Sequence, residues 1–108
     1  MKKVNGSAFD LEARDQETIA VTINGADCPP NVRMTLDGAP WTGGSFTMSR
    51  ASHPAGRQLL VQVDCGTAEP GEPFRIRLRG DADTEVSDWT IACRKAPVRT
   101  VVYALDVE

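Results

Sequence analysis

Apolar and polar residues alternate along almost the whole chain, and this alternation limits the possible folds more than any other feature. Ile19, Val21 and Ile23 are separated by Ala20 and Thr22, and Val32, Met34 and Leu36 by Arg33 and Thr35. Phe46 and Met48 flank Thr47; Leu59, Val61, Val63 and Cys65 flank Leu60, Gln62 and Asp64. Phe74, Ile76 and Leu78 alternate with Arg75, Arg77 and Arg79, and Trp89, Ile91 and Cys93 with Thr90 and Ala92. Successive side chains of a β-strand point to opposite faces, so a period of two marks a strand with one dry and one wet face. The first member of each set is expected inside, Trp89 included. Phe9, Leu11 and Ala13 read as a further, first strand.

Turn residues fall between these runs. Asn24-Gly25, Asp37-Gly38, Gly43-Gly44, His53-Pro54-Ala55-Gly56 and Glu69-Pro70-Gly71 punctuate the chain. Such signals at short, regular spacing are the rhythm of an all-β sandwich or barrel. No segment carries a helical stripe longer than two turns; one helical turn fits between Asp83 and Asp88. The expectation is an all-β, two-sheet antiparallel sandwich of about 7–8 strands, immunoglobulin-like or jelly-roll in architecture. The hallmark of immunoglobulin domains is a Cys, a Trp and a second Cys preceded by Tyr. Cys28, Trp41 and Cys93 have tolerable spacing, but Cys28 precedes Pro29-Pro30 and Ile91 stands where the Tyr belongs. The expectation is therefore one of architecture and not of family.

At 108 residues the chain is one domain, residues 1–108. Its net charge of -3 and pI near 5.1 argue against phosphate-backbone binding, so no nucleic acid partner is expected. The apolar run Val101–Leu105 is far too short for a membrane span. No apolar segment follows Lys2 and Lys3, so the expectation is a cytoplasmic chain, with a secreted chain trimmed of its leader as the alternative.

Three cysteines, Cys28, Cys65 and Cys93, leave at least one thiol free. Cys65 and Cys93 share the phase of inward residues, which suits buried thiols in a reducing compartment; a Cys65–Cys93 bridge between sheets is the competing reading. Cys28 belongs to a loop. With His53 the lone histidine and no close cysteine pair, no zinc site and no cofactor is expected.

The candidate ligand-binding residues are Trp41, Arg75 and Arg77. Trp41 lies between Pro40 and Gly43-Gly44, where an indole at a loop tip stacks on a partner or folds back as a lid. Arg75, Arg77 and Arg79 place three guanidinium groups on one face at intervals of about 7 Å. Such a row grips carboxylates or sulfates, or pairs with acidic neighbours on adjacent strands. Asp81, Asp83, Glu85 and Asp88 gather oxygen ligands in a presumed loop, too few for a firm calcium site. The tripeptide Arg79-Gly80-Asp81 spells an integrin-binding motif, too short to carry weight. His53, with Ser49 and Ser52 close in sequence, lacks an acid to orient its ring, so no catalytic residue is named and no enzyme is expected.

The leading reading is a small non-catalytic module that holds a carbohydrate or protein partner through loops or one sheet face. The alternative is an assembly subunit. Thr100–Val107 carries apolar residues on both faces, with Asp106 and Glu108 favouring Val101, Tyr103, Leu105 and Val107 as the inward set; read as a long apolar edge strand it invites pairing, and Val102 requires cover, which a homodimer would supply.

Overall fold

Each alternating segment forms a strand in a computed structural model that describes residues 1–66, 69, 71–82, 85–94 and 97–108. Ten strands are present among these residues: β1 (Lys2–Lys3), β2 (Asp10–Ala13), β3 (Thr18–Ile23), β4 (Val32–Leu36), β5 (Ala39–Trp41), β6 (Gly44–Thr47), β7 (Arg57–Asp64), β8 (Pro73–Gly80), β9 (Val86–Ala92) and β10 (Val98–Val107). The count exceeds the expected 7–8 because β1 and β5 are two- and three-residue strands, too short to show a period. They form two sheets, a six-stranded one in the order β1-β2-β10-β7-β4-β5 and a four-stranded one in the order β6-β3-β8-β9.

The sheets share one apolar core. Ile19, Val21, Ile23, Met34, Leu59, Val61, Val63, Ile76, Leu78, Tyr103 and Leu105 are all buried, with Leu11, Ala13 and Met48 beside them. Removing that surface from water is the main favourable term in folding. Between β4 and β5, Asp37 and Gly38 both adopt positive φ, 53° and 82°, the two-residue turn whose twist matches its flanking strands.

Several expectations need correction. The sandwich is not wholly antiparallel: β2 runs parallel to β10, with Leu11 beside Leu105. β10 is also not an outer strand, since it lies between β2 and β7. Trp89 is not in the core but 43% exposed. It has the phase of the buried Ser87 and Ile91, but β9 is the outermost strand of its sheet, and its indole meets the Phe9 ring edge-to-face with centroids 4.7 Å apart. Val86–Asp88 is strand where a helical turn was expected, because Arg79, Arg77 and Arg75 of β8 pair with Val86, Asp88 and Thr90.

Cys65 and Cys93 are not free thiols; they form a disulfide with Cα atoms 5.4 Å apart. Cys65 follows β7 and Cys93 follows β9, so the bridge ties the two sheets together. Cys28 is free and exposed in its loop. Glu17 is a buried acid that alternation does not announce. Its carboxylate accepts from the Arg14 amide at 2.9 Å, the Met1 ammonium at 2.5 Å and the Ala82 amide at 3.3 Å.

Candidate functional site

The outer face of the four-stranded sheet sets the arginine row of β8 beside small and hydroxyl-bearing residues of β3 and β6. Strand phase places Thr18, Ala20 and Thr22 of β3 outward, and register sets Ala20 beside Arg79 and Thr22 beside Arg77. On the other flank of β3, Ser45 of β6 lies beside Ala20. A lane of small side chains thus runs along the arginine row of β8.

The three arginines differ in state. Arg75 is locked: its Nε donates to Asp88 Oδ1 at 2.8 Å and Oδ2 at 3.1 Å, and its Nη2 also donates to Oδ2. Those hydrogen bonds hold the Asp88 carboxyl below the usual carboxylate range and raise Arg75 above its own. Arg77 shares the same carboxylate at 3.5 Å, with half its side chain exposed. Arg79 is exposed and has no partner among the described residues. It borders a broad hollow of about 580 Å³ lined also by Thr18, Ala20, Ser45, Gly80, Asp81 and Ala82.

Chemically, the hollow offers five guanidinium N–H donors, two hydroxyls and a floor of small residues. Asp81 is the opposing charge, but its Oδ1 already accepts from the Thr18 amide at 3.0 Å. No aromatic ring lines the hollow, so a ligand here would be held by charge and hydrogen bonds rather than stacking. A smaller hollow of about 170 Å³ joins Thr22, Gly25, Arg75 and Arg77 further along the face.

Of the named candidates, Arg75 and Arg77 lie on this face and Trp41 does not. Trp41 is half-buried in β5 rather than at a loop tip, opposite Met34, with its indole 5.6 Å from the Phe46 ring. It packs against the core and also borders a hollow of about 520 Å³ with Cys28, Met34, Pro40 and Leu60. Sequence reasoning overlooked Thr18 and Ser45, because their meeting with Arg79 depends on β6 pairing with β3, which no local pattern records. Asp88 was grouped with the acidic loop. Its place between Ser87 and Trp89, in outward strand phase, was the signal that it faces the arginines.

The other motifs separate. Asp83 lies outside the described residues, and among those described no cluster of His, Cys, Asp or Glu is arranged to hold a metal ion. Arg79 and Gly80 end strand β8, with Gly80 buried, so the integrin-like tripeptide is not a loop tip. The Nδ1 of His53 is buried without a hydrogen-bond partner among the described residues, so none of their carboxylates orients the ring through that atom. Ser49 Oγ instead accepts from the Ser52 amide at 3.2 Å and meets Gln16 Nε2 at 3.4 Å. Set against protein-family models, curated proteins and solved structures, the chain matches none of them, and its function must be read from this face and its neighbours.

Proposed function

We propose that the chain is a non-catalytic binding module that holds a carbohydrate or protein partner bearing carboxylate or sulfate groups. The partner lies on the outer face of the four-stranded sheet. The observation that carries this reading is Arg79, whose guanidinium has no partner among the described residues and borders a hollow of small and hydroxyl-bearing side chains. Guanidinium groups bind such anions through two parallel hydrogen bonds, and Arg77 stands two residues away to extend the contact. Arg75 supports the face by fixing Asp88 through its Nε and Nη2. The test is calorimetric titration with a sulfated glycan, a uronate-bearing glycan and an acidic peptide. Binding of one of them should weaken about tenfold or more in Arg79→Ala and far less in Arg75→Ala. Absence of binding to all three, or equal binding by Arg79→Ala, removes the reading.

A second reading is favoured by a separate observation. Among the described residues Val98–Val102 has a neighbouring strand on one side only, and Val98 and Val102 are exposed. We infer from this that the chain is also an assembly subunit. The Cys65–Cys93 bridge supports an oxidising compartment over the cytoplasm.

A further inference from the structure

The outward row of β8 continues past the end of the strand. The Asp81 amide donates to the Thr18 carbonyl at 3.1 Å, and the Thr18 amide donates to Asp81 Oδ1 at 3.0 Å. Asp81 therefore keeps the phase of Arg77 and Arg79, and it borders the same hollow as Arg79. From Arg77 onward the row reads cation, cation, anion, each about 7 Å from the next. Among the described residues Arg79 has no partner, and the second carboxylate oxygen of Asp81 meets no donor. Arg77 keeps half its side chain exposed while it shares Asp88 with Arg75.

Beside this row there is room for a chain. The hollow at Thr18 and Ala20 and the smaller one at Thr22 and Gly25 follow one another along β3, parallel to the charged row. The threonine hydroxyls between them can donate to or accept from a main chain laid over them. β8 itself lies between β3 and β9, so its own main chain is already paired. An occupant of this furrow is therefore recognised by side chains and not by joining the sheet.

We propose that the occupant is an extended peptide of mixed charge, with two acidic residues and one basic residue at alternate positions. The acids lie on Arg77 and Arg79 and the base lies on Asp81. The proposal rests on the anion-binding reading of this face and narrows its partner from glycan or protein to a polypeptide of this pattern. Charge makes the first selection. A ligand that is anionic throughout, such as a sulfated or uronate-bearing glycan, meets the like charge of Asp81 within the hollow, whereas a peptide presents both signs. Spacing makes the second. Same-face side chains of an extended peptide recur at about 7 Å, the repeat of Arg77, Arg79 and Asp81 themselves. Extended chains stacked face to face run within about 30° of each other, so the match holds over three successive contacts. The order acid, acid, base then fixes which end of the peptide lies at Asp81.

The experiment titrates the full chain by calorimetry at low ionic strength, where exposed charges are least screened. The probe is the capped peptide Thr-Glu-Thr-Glu-Thr-Lys-Thr, set against two other peptides and a sulfated glycan. One is its isomer Thr-Glu-Glu-Thr-Lys-Thr-Thr, which turns the two acids to opposite faces. The other is Thr-Glu-Thr-Glu-Thr-Glu-Thr, which sets an acid on Asp81. The probe should bind more tightly than either peptide by about three- to fivefold, the upper part of what one exposed ion pair supplies, and more tightly than the glycan. Asp81→Asn removes the charge and keeps an oxygen to accept from the Thr18 amide; it should bring the probe and the all-acidic peptide toward equal affinity. Arg79→Ala should weaken both. Equal affinity for the probe and its isomer, tighter binding of the glycan, or a preference for lysine that survives Asp81→Asn overturns the peptide assignment; where that binding still depends on Arg79, the anion-binding reading of the face stands. Absence of binding to peptides and glycan alike removes both.

Discussion

Gly80 and Glu17 meet inside the molecule with no room between them. A Cβ added at Gly80 would sit 1.7 Å from Glu17 Oε2 and 2.8 Å from Met1 Cβ. The glutamate cannot swing away cheaply, because its oxygens hold three donors drawn from the start of the chain, the turn before β3 and the end of β8. Gly80→Ala is expected to cost about 1–3 kcal/mol, the usual penalty for overfilling a packed interior, and urea unfolding would measure it. The Asp88 prediction concerns pH. Arg75 holds its carboxyl below the ordinary range. A depressed carboxylate stabilises fully above its unfolded value of about 3.9, and the contribution fades as pH falls through the lower folded value. Melting temperature should therefore change little between about pH 7 and pH 5 and fall below about pH 4, and Asp88→Asn should show less of that acid-side loss. Single residues were legible in the sequence where phase alone decides the environment, as for Ile19, Val61 and Tyr103. Trp89 was misread because phase reports which way a side chain points and not what stands opposite it.

Strands were legible wherever four or more residues alternate, and invisible where two or three suffice, as in β1 and β5. The partners of each strand were not legible. Nothing local in Asp10–Ala13 records that it lies parallel to Ala104–Val107, and that pairing moves β10 from the expected rim to the interior of its sheet. The same limit hid the hollow beside Arg79, whose walls come from β3, β6 and β8. The cysteines were legible as a pair sharing strand phase, while bridging depends on how two sheets stack. The bridge closes a separation of 28 residues from the end of β7 to the end of β9. Chain-entropy reasoning assigns such a loop about 3.5 kcal/mol. Reduction in mild denaturant, or Cys65→Ala with Cys93→Ala, should lower stability by about that amount, read from the shift in urea midpoint.

At the scale of the molecule, the chain passes repeatedly from one sheet to the other. β2 and β3 lie in different sheets, as do β3 and β4, β5 and β6, β6 and β7, β7 and β8, and β9 and β10. The two-sheet plan was legible because alternation demands a dry side for every strand, and two facing sheets provide it. The order of strands was not, since it arises from contacts far apart in sequence. That order has a consequence for how the molecule is made. β10 separates β2 from β7, so the six-stranded sheet exists as two unconnected pieces until residues near Val107 have been added. During synthesis β2 waits without its inner neighbour until every strand from β3 to β9 has been made, with Leu11 and Ala13 uncovered. Native structure in this sheet thus forms after that of its earlier strands, and a chain made only as far as β9 is open to wrong pairing.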